Sequence, residues 1–201
     1  MTADPAFALL TAEEFLAIDF GPDRKAELDH GVIRMMTGGS VAHGRVQANI
    51  MRVLGNALRG SGCRPYGSDT GVWINEKTVR YPDVSVHCGV ANAPESDGLK
   101  ALSEPRVVIE VLSPTTNAYD QGAKLADYQA LPSIETIAFV DPENELVRTV
   151  QRLGPGSWRD DRFSGPHDLA LPGLGVVIPT PSCSPGIDRR GLYRASSRPT
   201  G

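Results

Sequence analysis

Arg106-Val-Val-Ile-Glu-Val-Leu112 is the strongest strand signal in this chain. It is apolar on both faces, which is typical of a central strand in a sheet that is covered on both sides. Ser113-Pro114 ends the strand, and Asp120 is placed to cap a helix that runs to Ala130 before Pro132. The sequence therefore predicts a strand followed by a helix within a mixed α/β sheet.

The elements around this stretch are short and bounded by turn residues. Thr11-Ala-Glu-Glu14 has the form of a capping box, which predicts a helix to about Ile18, and Ser40 is expected to cap an amphipathic helix over 41–59. Ala26 to Thr37 predicts two strands that turn at 29–31. Further strands are expected at 63–68, 71–75, 81–88, 134–141, 145–151, 158–163 and 174–178, with a polar loop over 89–104. We expect an α/β fold with a mixed central sheet, flanking helices and additional β-hairpins.

Charge is unevenly distributed along the 201 residues. The chain has a net charge of −4, but residues 1–180 carry −7 and residues 181–201 carry +3. We predict a single domain over 1–180 and a disordered basic tail over 181–201, with 185–201 outside the fold. The acidic body argues against a protein that coats nucleic acid by charge alone. It leaves open an enzyme whose carboxylates hold a metal ion beside a phosphate.

Two features bear on the compartment. No stretch approaches the roughly 20 apolar residues that a membrane helix needs, and the first ten residues contain Asp4 without a basic segment, so we expect no membrane association and a cytoplasmic location. Cys63, Cys88 and Cys183 are odd in number and lack the spacing of a zinc site. We therefore expect reduced thiols.

Glu110 is the exception within its strand. A lone buried carboxylate costs several kcal/mol unless it is paired, protonated or bound to a cation. Asp83 follows a proline at the start of another predicted strand, so the two acids could share one hard cation. Lys124 lies in the first turn of the next helix. The alternatives are a structural ion pair for Glu110, a turn residue at Asp83 and a solvated surface lysine at Lys124.

These residues resemble a known motif. Pro82-Asp83, Glu110-Val111-Leu112 and Lys124 are similar to the PD-(D/E)xK nuclease superfamily, and most similar to its Uma2-type branch, also called DUF820, of restriction endonucleases. The standard motif has a lysine two places after the glutamate, where this chain has Leu112. The Uma2-type pattern instead has the lysine on the next helix, which matches Lys124.

The resemblance extends over roughly residues 10–180. Ala26 to Gly31 is similar to an early hairpin of the family, His43 to a histidine that opens its long helix, and Ile137 to Pro142 to a late strand. Ala26 and Ala138 stand where the family pattern has aromatic residues, which affects packing rather than chemistry. The resemblance implies a restriction-endonuclease-like fold.

The resemblance also implies a role for each candidate residue. Asp83 and Glu110 would hold Mg²⁺ or Mn²⁺, and Lys124 would position the attacking water. Glu27 would be a further catalytic acid beside the metal, and His43 would contact a phosphate of DNA. The alternatives are a surface acid of the hairpin for Glu27 and a partly buried histidine at the start of a helix for His43.

The function implied is a metal-dependent endonuclease that hydrolyses phosphodiester bonds in DNA. Cutting both strands requires two active sites, so a homodimer is possible. One alternative is a catalytically silent protein of the same fold that acts as a nucleic-acid-binding or accessory factor. Another is a glycoside hydrolase with paired carboxylates, but it would need an aromatic cleft, and only 6% of the residues are aromatic.

Overall fold

The computed structural model describes residues 9–22, 24–89, 94–113 and 120–183. Within them are the helices α1 (Ala12–Ala17), α2 (Val41–Ala57), α3 (Leu125–Ala130) and α4 (Thr180–Cys183), and a π-helical turn, Asp120–Lys124, leads directly into α3. Short 3₁₀ turns lie at Pro94–Ser96 and Pro172–Leu174. The strands are β1 (Lys25–Asp29), β2 (Val32–Met36), β3 (Cys63–Gly67), β4 (Gly71–Asn75), β5 (Thr78–Arg80), β6 (Val84–Cys88), β7 (Ala101–Leu102), β8 (Val107–Val111), β9 (Thr136–Asp141), β10 (Leu146–Gly154), β11 (Ser157–Ser164), β12 (Leu169–Leu171) and β13 (Val176–Ile178).

The largest sheet has six strands in the order β11-β10-β9-β8-β6-β3. Strand β8 is parallel to β9 and antiparallel to β6, and all five of its residues are buried. The predicted central strand and the mixed α/β fold are therefore confirmed.

Helices cover both faces of this sheet. Helix α2 begins at the predicted cap Ser40 and buries Val46, Ile50 and Leu54 against one face. The opposite face packs against α3, where Tyr128 is fully buried among side chains that include Val108. Side chains alternate along a strand, so Glu110 lies on the α3 face together with Val108.

A second sheet, in the order β2-β1-β5-β4-β7, packs against α1. Thr11 and Glu14 form the predicted capping box. The β1–β2 hairpin turns through His30 and Gly31, whose φ angles are 51° and 86°. Positive values at both positions match the twist of a two-residue hairpin. A Cβ atom at Gly31 would also lie 2.5 Å from the Cβ of Leu9, so this glycine is required by its contacts.

The strand predicted over 81–88 is confirmed as β6 (Val84–Cys88), but residues 81–83 precede it, and β5 was not predicted. Strands β5 and β6 belong to different sheets. The break falls at Tyr81-Pro82-Asp83, because proline has no N–H to donate to a ladder. The crossing from one sheet to the other places Asp83 at their junction.

The prediction of reduced thiols is wrong for Cys63 and Cys88. Strands β3 and β6 are antiparallel, and their register places Cys63 opposite Cys88, where the two form a disulfide. The spacing of cysteines along the chain does not show which of them lie opposite each other on paired strands. Cys183 is a free, buried thiol.

The C-terminal segment departs from the prediction at its start. Residues 181–183 belong to α4 rather than to a tail, because Cys183 packs into the main core. The rest of the predicted tail, 184–201, lies outside the described residues, as does the side chain of the predicted cap Asp120. Among the helices that the structure describes, none has the length and apolarity to cross a membrane.

Candidate active site

A pocket of about 610 Å³ opens where the six-stranded sheet and the second sheet meet. Four of the predicted site residues line it: His43, Asp83, Glu110 and Lys124. The fifth, Glu27, contacts Lys124 without lining the pocket itself. The crossing between β5 and β6 supplies Asp83, the central strand β8 supplies Glu110, and the turn before α3 supplies Lys124.

The ammonium of Lys124 bridges two carboxylates. Its Nζ lies 3.2 Å from Oε1 of Glu110 and 3.0 Å from Oε1 of Glu27. All three residues are buried: Lys124 is 5% exposed, Glu110 is 3% exposed and Glu27 is 2% exposed. Lys124 is therefore not a solvated surface lysine, and Glu27 is not a surface acid. The bridge joins β1 of one sheet to β8 of the other.

Tyr128 is a further polar group on Glu110. Its hydroxyl donates a hydrogen bond of 2.7 Å to Oε1, the same oxygen that Lys124 contacts. Burial, and next the negative charge of Glu110, raise the pKa of Tyr128 well above its ordinary value, so the phenol remains a donor. Tyr128 was not predicted to belong to the site; the available signal was its position four residues after Lys124, which places both side chains on one face of the helix.

Asp83 is held by two donors. The main-chain N–H of Val111, the residue after Glu110, donates to Oδ2 of Asp83 at 2.7 Å. Nε2 of His43 lies 3.1 Å from the same oxygen. This hydrogen bond raises the pKa of His43, while partial burial of the ring acts in the opposite direction. Gln47, one turn along α2, donates to the main-chain oxygen of Asp83 at 2.8 Å.

Arg80 forms a second buried group of charges behind Glu27. Its Nη1 is 3.5 Å from Oε2 of Glu27, and Nη2 is 2.6 Å from Oδ1 of Asp29. Oδ2 of Asp127 lies 2.7 Å from Nε and 2.5 Å from Nη2. Sequence reasoning missed Arg80 and Asp127. The signals available were a basic residue next to the Tyr81-Pro82-Asp83 break and an acid three residues after Lys124.

The carboxylate oxygens of Asp83 and Glu110 suit a hard divalent cation that retains some of its coordinated water molecules. No group of three His, Cys, Asp or Glu side chains within the described ranges is arranged to enclose a metal. Asp83 and Glu110 offer two carboxylates at one pocket, and Mg²⁺ typically takes one or two carboxylates together with waters and substrate phosphates. These residues therefore fit Mg²⁺ or Mn²⁺, and they do not fit a structural zinc site of four nitrogen or sulfur ligands.

Solved structures contain a similar fold. A chain described as "a putative nuclease belonging to DUF820 from Anabaena variabilis" superposes with a TM-score of 0.69. The match covers 87% of this chain and 97% of that chain at 16% sequence identity. At that identity the likeness shows the fold.

Sequence comparisons agree with the structural one. Two proteins of Synechocystis sp. match: "Uncharacterized protein slr1290" is 29% identical over 85% of this chain and 88% of its own length. "Uncharacterized protein sll1609" is 28% identical over 75% of this chain and 85% of its own length. The model of the Uma2 family, described as "Putative restriction endonuclease", matches residues 12–180. The chain therefore belongs to the Uma2 family.

Proposed function

We propose that this chain is a metal-dependent endonuclease that hydrolyses phosphodiester bonds in DNA, with Asp83 and Glu110 holding Mg²⁺ or Mn²⁺. The observation that carries the proposal is that these two carboxylates face one pocket while the ammonium of Lys124 is buried against Glu110. When bound, such a cation supplies Lewis acidity, which polarises a phosphodiester and makes water a better nucleophile.

Lys124 supplies a fixed positive charge at the pocket. Because Glu27 and Glu110 both hold the ammonium, it has little freedom to move away when substrate enters. An ammonium in this position can orient a water molecule and offset the negative charge that develops on a phosphate. Glu27 does not line the pocket, and its Oε1 contacts both the ammonium of Lys124 and the main-chain N–H of Tyr81, each at 3.0 Å. These contacts favour a role in which Glu27 acts on the reaction through Lys124.

His43 supplies a second cationic group. Because its hydrogen bond to Asp83 raises its pKa, a larger fraction of the imidazole is charged near neutral pH than in a free histidine. A charged ring at the pocket would attract the phosphate backbone of a nucleic acid. Arg24 and Lys25 line the same pocket and add positive charge to it.

A cleavage assay tests the proposal. Supercoiled plasmid, linear duplex, single-stranded DNA and single-stranded RNA would each be incubated with Mg²⁺, Mn²⁺ or EDTA. We expect DNA cleavage with either metal, none with EDTA, and none by Glu110→Gln or Asp83→Asn. Glu135→Gln is the matched control, because Glu135 pairs with Arg106 and does not line the pocket.

The outcomes separate the two candidate functions. Folded protein that binds DNA but cleaves no substrate with either metal would contradict the nuclease proposal and support the catalytically silent alternative. Conversion of plasmid directly to the linear form would indicate two sites acting together, as expected of a homodimer.

A further inference from the structure

We propose that Arg80 is a positioning residue that sets the location of the Lys124 ammonium through Glu27 and Asp127. The inference deepens the proposed function and rests on it, because the location of Lys124 matters for hydrolysis only if Lys124 acts on a phosphodiester. Arg80 lines no part of the pocket, so its effect on the reaction would pass through the residues that it holds.

Arg80 is fully buried on the short strand β5, which lies between β1 and β4 in the second sheet. Its guanidinium contacts carboxylates of β1, the strand paired with β5, and of α3. Taking an arginine and its partners out of water costs several kcal/mol per ion, and well-packed apolar residues are often as stable or more stable. Stability alone therefore gives little reason for an arginine here, whereas fixing the geometry between β1 and α3 gives one.

The contact with Asp127 fixes the helix that follows Lys124. Helix α3 has six residues and follows a π-helical turn, and a helix this short is not stable without tertiary contacts. Nε and Nη2 of Arg80 both contact Oδ2 of Asp127, which limits rotation of α3 about its axis. Asp127 lies three residues after Lys124, so both project from neighbouring positions of the same helical face. A rotation of α3 would displace Lys124 from Glu110.

Arg80 also acts on the other side of the ammonium. Glu27 is shared, because Oε2 faces Arg80 at 3.5 Å and Oε1 faces Lys124 at 3.0 Å. If Asp127 lost its charge, Arg80 would be drawn toward Glu27 and would compete with Lys124 for that carboxylate. Rotation of α3 and competition for Glu27 would each displace the ammonium of Lys124, while Asp83 and Glu110 would stay in place.

Steady-state kinetics with Mn²⁺ test this on the full chain. Asp127→Asn keeps the shape of the side chain and removes its charge, and Arg80→Lys keeps the charge and removes the planar fork. For both variants we expect kcat to fall by about 10- to 100-fold, the size of effect that a small misplacement at an active site produces. We expect KM to stay within about twofold, and the Mn²⁺-induced rise in Tm to be retained, since the proposed metal ligands are intact. Glu135→Gln should leave kcat unchanged, and a kcat within about twofold of wild type for folded Asp127→Asn would overturn the inference.

A second measurement does not require nuclease activity. Acetic anhydride acylates accessible amines, and mass spectrometry reports the rate at Lys124. A misplaced ammonium is less protected, so we expect Lys124 to react several-fold faster in Asp127→Asn than in wild type or Glu135→Gln. An unchanged rate would overturn the positioning role. If the wild type cleaves nothing, the proposed function fails, and this rate still decides whether Arg80 and Asp127 position Lys124.

Discussion

Replacing Lys124 with methionine removes the cation that Glu27 and Glu110 share and keeps a side chain of similar length. Both Oε1 atoms contact Nζ, at 3.0 and 3.2 Å, so they lie no more than about 6 Å apart. Two negative charges at that separation repel each other by about 3 kcal/mol at an effective dielectric constant of 20. Removing one partner of a buried ion pair typically costs about 3–5 kcal/mol. We expect Lys124→Met to lower the free energy of unfolding by about 3–5 kcal/mol, which lowers Tm by roughly 6–20 °C in a chain of this size.

Urea and thermal unfolding measure this loss, and two further variants make it specific. Lys25→Met is the matched control, because Lys25 is an exposed lysine paired with exposed Asp69, and such pairs contribute about 1 kcal/mol or less. The double variant Lys124→Met/Glu110→Gln removes the repulsion, so it should recover part of the lost stability. Mn²⁺ should raise the Tm of Lys124→Met more than that of wild type, since a cation can replace the missing ammonium. If Lys124→Met is as stable as Lys25→Met, the Lys124 ammonium does not neutralise the two carboxylates.

Three further predictions concern single groups. Tyr128→Phe removes the hydroxyl that donates to Glu110 and should lower the free energy of unfolding by about 1.5–3 kcal/mol in urea, and equal stability would show that this hydrogen bond contributes little. Burial lowers the pKa of His87, so the imidazole binds a proton more readily in the unfolded chain than in the folded one. The free energy of unfolding should therefore fall as the pH drops below about 6.5. His87→Gln should weaken that pH dependence of the urea midpoint, and an identical dependence would contradict the assignment. The Cys63–Cys88 disulfide spans 25 residues and should contribute about 3.5 kcal/mol, so dithiothreitol should lower Tm, and no change in Tm would argue against the disulfide.

Local patterns in the sequence were sufficient for most elements of the fold. The apolar run around Glu110 predicts the central strand β8, and Ser40 predicts the start of α2, because both signals lie within a few consecutive residues. The hairpin at His30-Gly31 is also local, since two residues with positive φ determine it.

Features that depend on contacts distant in sequence could not be predicted. Nothing near Cys63 shows that strand pairing brings Cys88 beside it. The sheet to which each strand belongs is likewise a tertiary property, so Pro82 alone does not predict the change of sheet. Three-residue strands such as β12 are too short for alternation to be recognised.

The residues of the candidate site also divide into those with a signal in the sequence and those that only tertiary contacts reveal. The order of Asp83, Glu110 and Lys124 along the chain carries the family pattern, so these residues could be selected without a structure. Arg80 and Asp127 were missed because their significance is mutual, and they lie 47 residues apart. A buried arginine is recognised only when its partners are seen around it.

Thermal unfolding with and without Mn²⁺ tests whether Asp83 and Glu110 hold a divalent cation, as we propose. A ligand that binds only the folded state at 100 times its Kd stabilises the fold by about 2.7 kcal/mol. We predict that millimolar Mn²⁺ raises the Tm of wild type and of Glu135→Gln but leaves the Tm of Glu110→Gln unchanged. No rise in wild type, or an equal rise in Glu110→Gln, would show that Asp83 and Glu110 do not hold the cation.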